Sequence, residues 1–244
     1  MSAPVVFLHG WGLHGGIWSA TRAALDRPSV APDLPGYGDT AMVTPYDPST
    51  LADAVAATLP ENAIVVGWSM GGMVALTLAA RRPIKALVLV GTSPTFVNRG
   101  PWRHGLDPGV LAGFADALAT DYRATLLRFL ALQARGGDAA REVIGRLRAS
   151  VFERGEPRPE TLSAGLDLLR DVDLRREAGQ ITCPTLIVHG AYDNLCPLGA
   201  GEWLAQAIPN ARLAVHPHAA HAPFLSHPDW FYPQLRTFLD EFGT

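Results

Sequence analysis

The chain has 244 residues, is 48% hydrophobic and 18% charged, and carries a formal net charge of −3 at pH 7. That length holds one large α/β domain with a sizeable core, or two small ones, and the near-balanced charge leaves no basic excess to neutralise phosphates, which excludes an ordinary nucleic-acid binder. Two cysteines, Cys183 and Cys196, each followed by a proline, are too few for a disulfide framework and read as buried free thiols.

Pro4 to Leu8 is a short apolar run that predicts a buried strand, ending in the glycine-rich turn His9-Gly10-Trp11-Gly12. Ile17 to Leu25 predicts a helix, Ser29 to Pro32 a second strand, and Asp33-Leu34-Pro35-Gly36-Tyr37-Gly38 a loop. Ser49-Thr50 caps a predicted helix through Leu51 to Leu59, with Asp53 in its first turn. Ile64 to Val66 is a strand that runs into Gly67-Trp68-Ser69-Met70-Gly71 and then into a helix over Met73 to Arg81, with Pro83 just past its end. Lys85 to Val90 is the next strand, closed by Gly91-Thr92-Ser93-Pro94.

From Phe96 to Gln180 the alternation breaks and no strand is predicted. Val110-Leu111, Phe114, Leu118, Tyr122, Leu126, Phe129-Leu130 and Leu132 recur at helical spacing. Arg141 to Val151 and Thr161 to Leu169 predict two more helices, separated by Pro157 and Pro159. The alternation resumes with a strand over Thr185 to Val188 ending in His189-Gly190-Ala191-Tyr192-Asp193. A helix over Leu198 to Ala207, a strand over Arg212 to Val215, a loop carrying His218 and His221, and a helix over Asp229 to Phe242 complete the pattern. Strands alternating with helices imply a parallel sheet with right-handed crossovers. The expected organisation is an α/β core over 1–95 and 181–244, interrupted by a helical lid over 96–180. An insertion leaving the C-terminal strand ends covers the face where α/β sheets bind ligands.

A serine flanked by glycines between a strand and a helix is the arrangement of a nucleophile elbow, a strained turn that exposes the hydroxyl above the sheet. Ser69 needs a base to accept its proton. His221 can supply one, imidazole being the side-chain base suited to neutral pH, and Asp193 would hold the other ring nitrogen and stabilise the imidazolium. The order Ser69, Asp193, His221 is the one this scaffold uses. The backbone N–H groups of Met70, at the start of the elbow helix, and of Trp11 are the expected donors to a tetrahedral oxyanion. Asp167, Asp171 and Asp173 are rivals for the acid but lie in the helical insertion; His216 and His218 compete with His221. His218-Ala-Ala-His221 lacks the acidic partner of a helical zinc motif, so no metal is expected. His9 reads as a structural residue of its turn, and His14, His104, His189 and His227 as surface or supporting residues.

Taken together, His9-Gly10-Trp11-Gly12-Leu13, Gly67-Trp68-Ser69-Met70-Gly71-Gly72, Val110-Leu111-Ala112-Gly113-Phe114, Arg128-Phe129-Leu130-Ala131-Leu132-Gln133 and His221-Ala222-Pro223-Phe224-Leu225-Ser226-His227-Pro228 resemble segments of the α/β-hydrolase superfamily. Within it they resemble the BioH-type carboxylesterases of biotin synthesis, which remove a methyl group from a pimeloyl ester attached to acyl-carrier protein. The resemblance implies an α/β-hydrolase fold with a mostly parallel sheet, possession of the Ser69–Asp193–His221 triad and no cofactor. It further implies substrate contacts at Trp11, Ser69, Met70, Phe129, Leu130, Ala131, Leu132, Gln133 and His221. Lid arginines of that family meet an acidic helix of the carrier; Arg128 and Arg141 match them, and Arg123 and Arg146 are each displaced by one residue. The sheet is expected to be a strand or two shorter than in that family. A general short-chain carboxylesterase, or a carbon–carbon hydrolase or menaquinone-pathway lyase on the same scaffold, is the alternative. With no secretory signal and no apolar run of about 18 residues, a monomeric cytoplasmic enzyme with no membrane or nucleic-acid partner is expected.

Overall fold

The computed structural model describes residues 2–242. Six strands, β1 (Val5–Leu8), β2 (Ser29–Val30), β3 (Ile64–Trp68), β4 (Ala86–Val90), β5 (Thr185–Gly190) and β6 (Ala211–His216), form one sheet in the order β2-β1-β3-β4-β5-β6. Every neighbouring pair is parallel, so the sheet is wholly rather than mostly parallel. The central strands β1, β3 and β4 are buried along their whole length. That is why they read as continuous apolar runs: a parallel strand covered on both faces has no wet side on which to alternate.

The helices are α1 (Ser19–Ala24), α2 (Pro48–Ala56), α3 (Met70–Arg81), α4 (Pro108–Thr120), α5 (Tyr122–Ala134), α6 (Ala140–Val151), α7 (Pro159–Asp171), α8 (Arg175–Ala178), α9 (Leu198–Ala207), α10 (Pro223–Ser226) and α11 (Pro228–Phe242). A 3₁₀ turn over Gly15–Trp18 precedes α1. Helix α11 buries Phe231, Leu235, Phe238 and Leu239, one stripe at helical spacing, and packs on α1. Helix α3 packs on β1, β3 and β4.

Four sequence expectations shift. Helix α2 starts at Pro48, and its N-cap is Asp47, whose carboxylate accepts the Thr50 N–H at 2.8 Å; neither Ser49 nor Thr50 caps it. Proline fits the first helical position because that N–H has no helical partner to lose. Asp53 therefore lies past the first turn, where it pairs with Arg81 and Arg82. Helix α3 begins at Met70, three residues earlier than periodicity indicates, because Gly71 and Gly72 hide its apolar stripe. The long apolar series from Val110 to Leu132 is two helices broken at Asp121, and Val110 stands exposed rather than in the core. Cys196 is buried as expected, but Cys183 is only partly so; both are free, and burial raises both thiols above their ordinary range.

Helices α4 to α8 lie between β4 and β5 in sequence. Helices α4, α5, α6 and α7 pack on one another. Helices α5 and α7 meet the turn after β1. The Trp11 indole N–H donates to the Leu162 carbonyl of α7 at 2.9 Å, and the Trp11 and Phe129 rings lie 4.7 Å apart, centroid to centroid. Two further ties flank that turn: His14 Nε2 bonds the Ser150 carbonyl at 2.7 Å, and Arg154 reaches both carboxylate oxygens of Asp33 at 3.0 Å.

Candidate active site

Ser69 is the residue between β3 and α3, with φ +56° and ψ −122°. A non-glycine residue rarely adopts this conformation, which costs about 1–3 kcal/mol and persists only where its surroundings enforce it. Here the Ser69 N–H donates to Val90 O of β4 at 3.0 Å, and the Ser69 carbonyl accepts the N–H groups of Gly72 and Met73 at 2.9 and 3.2 Å. Two glycines make the turn sterically possible. A Cβ on Gly67 would lie 2.5 Å from Gly71 O, and one on Gly71 would lie 2.4 Å from His9 O and 2.6 Å from Leu8 O. The first turn of α3 is thus pressed onto the end of β1, and the turn bearing Trp11 lies against the serine; a Cβ on Gly10 would sit 3.3 Å from Ser69 Cβ.

Asp193 and His221 approach from β5 and from the loop after β6. The His221 Nδ1 and Asp193 Oδ2 atoms are 2.7 Å apart, with both side chains wholly buried. A carboxylate accepts, so Nδ1 carries the proton and Nε2 is the basic nitrogen. That Nε2 is buried and makes no hydrogen bond, so the structure does not join it to Ser69 Oγ. Such bonds are commonly long in ligand-free sites and tighten around substrate. The other carboxylate oxygen, Oδ1, accepts the N–H groups of Leu195 and Cys196, each at 2.9 Å.

Residues to which sequence reasoning gave no such role hold this pair in place. The Trp68 indole N–H donates to the His221 carbonyl at 2.9 Å, and the His221 N–H donates to the Gln133 carbonyl of α5 at 3.1 Å. Gly91, at φ +48°, passes so close that a Cβ there would lie 2.7 Å from His221 O and 3.3 Å from Asp193 Oδ2. Tyr37 OH accepts the Gly12 N–H at 3.3 Å. Trp68 had a visible signal, being the variable residue of the elbow itself; the Tyr37 contact had none. His9 is the turn residue expected: Leu34 N donates to its Nε2 and its Nδ1 faces Gly10 O, both at 2.9 Å. Burial pushes it down to about 4, against the weaker raising effect of the Gly10 carbonyl.

Met70 and Trp11 are buried beside the serine. The first N–H groups of a helix have no intrahelical partner, which leaves that of Met70 for a ligand. Phe129, Leu130 and Gln133 are buried, whereas Ala131 and Leu132 are half-buried on another side of α5. Phe129 packs between Trp11, whose ring is tilted against it, and Phe114, which meets it edge-on, and the Gln133 Oε1 atom is buried without a partner. The four arginines differ. Arg123 pairs with Glu156 at 3.1 Å and lies over the Phe152 ring, and Arg146 pairs with Glu142 at 2.7 Å. Arg128 and Arg141 are exposed, with Arg128 near the Phe114 ring. The rival histidines cluster elsewhere: His216 stacks on His227 at 3.8 Å and His218 is exposed. No helix among the described residues is long and apolar enough to cross a membrane.

The profile of the family described as alpha/beta hydrolase fold matches residues 3–228. The pimeloyl-[acyl-carrier protein] methyl ester esterase of Chromobacterium violaceum is 42% identical over 240 residues, covering 97% of this chain and 94% of that protein. The esterase of the same name from Aromatoleum aromaticum is 46% identical over 237 residues, covering 92% and 93%. Among solved structures, an esterase from Exiguobacterium antarcticum superposes with a TM-score of 0.85 at 25% identity, over 98% of this chain and 93% of that one. A bromoperoxidase from Bacillus anthracis superposes with a TM-score of 0.88 at 24% identity, over 98% and 92%, a likeness of fold alone. On these matches the chain belongs to the alpha/beta hydrolase fold family and, within it, to the family of the pimeloyl-[acyl-carrier protein] methyl ester esterases.

Proposed function

We propose that this chain is a serine carboxylesterase that hydrolyses the methyl ester of pimeloyl-[acyl-carrier protein], with Ser69 as nucleophile, His221 as base and Asp193 as the residue that orients it. The observation that carries the chemistry is the buried Asp193–His221 pair, at 2.7 Å, held at the same edge of the sheet as a serine strained to φ +56°. Ser69 Oγ attacks the ester carbonyl carbon while His221 Nε2 takes its proton. The oxyanion forms against the backbone N–H groups of Met70 and Trp11; losing one such donor costs on the order of 3 kcal/mol of transition-state stabilisation. His221 then returns the proton to the departing methanol, leaving an acyl-serine. Water, deprotonated by the same imidazole, releases the free carboxylate and restores Ser69.

Trp11, Met70, Phe129, Leu130, Ala131, Leu132 and Gln133 line the acyl site in this reading, and the helices over 96–180 act as a lid above it. The carrier protein docks on the lid arginines, Arg128 and Arg141 first, and the enzyme works as a cytoplasmic monomer. Ser69→Ala, checked for folding by circular dichroism, is expected to lose on the order of 10⁴-fold or more in turnover of a short p-nitrophenyl ester, and fluorophosphonate labelling is expected to vanish with it. Residual turnover near that of the parent protein removes the serine mechanism. Growth of a biotin-requiring strain lacking its own esterase tests the substrate; failure despite active protein leaves a general short-chain esterase.

A further inference from the structure

A second imidazole faces the acid of the site. His189, the fifth residue of β5, is wholly buried, and its Nε2 lies 2.6 Å from the Cys196 carbonyl and 3.6 Å from Asp193 Oδ2. A carbonyl only accepts, so Nε2 bears the proton. The same Cys196 donates its own N–H to Asp193 Oδ1. The turn from 193 to 196 is thus held on both sides of one residue, Cys196: Asp193 Oδ1 accepts its N–H and His189 Nε2–H donates to its carbonyl. On the far side of the ring, Nδ1 is buried without a partner and abuts Gly201 of α9, where a Cβ would lie 2.7 Å away. A proton placed there would be a buried donor with nothing to receive it, at a cost of about 1–3 kcal/mol or more.

We infer that His189 is a positioning residue for the esterase reaction. As a permanently neutral imidazole it clamps the Cys196 carbonyl, aims Asp193 Oδ2 at His221, and does not compete with His221 for the carboxylate charge. The inference rests on the proposed triad. The charged and titratable groups facing His189 are Asp193 and Cys196 from the turn, His221 from the loop after β6 and Glu202 from α9. Burial, the largest influence, lowers the basicity of His189 against the raising effect of Asp193, in keeping with the geometry.

His189→Phe fills the ring volume but leaves the Cys196 carbonyl unpaired. It is expected to lower kcat about ten-fold with KM nearly unchanged, and to move the acid limb of kcat/KM to lower pH, because a loosened carboxylate favours imidazolium less. His189→Gln, whose amide N–H can replace Nε2–H, is expected to recover kcat to within about three-fold. Gly201→Ala, which pushes on Nδ1, is expected to resemble His189→Phe. A folded His189→Phe protein with parental kcat and an unmoved acid limb overturns the inference. Nitrogen-15 NMR of the unaltered protein gives a readout independent of turnover and of whether the variants fold. His189 is expected to remain the neutral Nε2–H tautomer from pH 5 to 9, and a cation at pH 6 overturns the inference too. The NMR result stands whatever the substrate is, whereas failure of Ser69→Ala to abolish ester turnover strikes the triad alone.

Discussion

At the scale of single residues, two strained or buried groups make opposite contributions that can be measured. His9 is held neutral because Leu34 N–H needs its Nε2 lone pair, and burial brings it to about 4 from an ordinary 6.5. The unfolded chain therefore binds a proton that the folded one refuses. The stability His9 confers is complete above about pH 6.5 and is lost as pH falls toward 4, a change of about 3 kcal/mol. Urea unfolding at several pH values is expected to show this slope, and His9→Gln, which keeps an acceptor but cannot titrate, is expected to flatten it; an equally steep variant removes the assignment. His189 and His216 are also lowered, chiefly by burial, and add to the acid sensitivity with the same sign. Ser69 works the other way, since its left-handed backbone is a standing cost. Ser69→Gly relieves it and is expected to be about 1 kcal/mol more stable than Ser69→Ala in the same denaturant assay. A lower midpoint for the glycine variant would mean that the apex stores no strain.

Elements were legible where the sequence carries a period and obscure where a cap decides. The buried strands showed as apolar runs, and α6, α7, α9 and α11 showed within two residues of their ends. The division of α4 from α5 did not show, because the apolar spacing runs across it. Asp121 caps both helices at the break. Its N–H closes α4 on Ala117 O at 2.9 Å while its carboxylate accepts Ala124 N–H of α5 at 2.9 Å. Helix α8 and α10 are four residues each, too short for any periodicity. Removing the cap with Asp121→Ala is expected to cost about 1 kcal/mol and to lower the melting temperature by about 2–4 °C in a chain of this size. An unchanged melting curve would assign the break to the packing of α5 on Trp11 instead. The elbow stood out because glycines on both sides of a serine exceed what an N-cap requires; the Trp68–His221 and Tyr37–Gly12 bonds join residues that nothing in local sequence connects.

Over the whole molecule, four separate stretches of chain converge at the C-terminal ends of the strands, and helices α5 and α7 bond the segments that carry His221 and Trp11. Motif order pointed to the convergence. Those contacts were not legible, since helical spacing within 96–180 says nothing of where those helices lie on the sheet. The same limit applied to the arginines, whose sequence positions did not reveal that Arg123 and Arg146 are occupied by Glu156 and Glu142. This matters for a carrier protein. The chain carries a net charge of −3, so attraction to an acidic partner must come from a local patch, and of these four arginines Arg128 and Arg141 are the two exposed ones not paired with a glutamate. Exposed charge pairs contribute roughly 0.2–1 kcal/mol each and weaken within a Debye length as salt rises. Reversing both charges, in Arg128→Glu with Arg141→Glu, is therefore expected to raise KM for the carrier-bound methyl ester about ten-fold at low salt, with less effect on kcat. In 0.5 M salt the two proteins are expected to converge, and p-nitrophenyl acetate, which needs no docking, is expected to be turned over within about two-fold of the parent rate. Equal losses on both esters would place these arginines in the stability of the insertion rather than in carrier recognition. A KM unmoved on the carrier-bound substrate would shift the docking face away from α5 and α6.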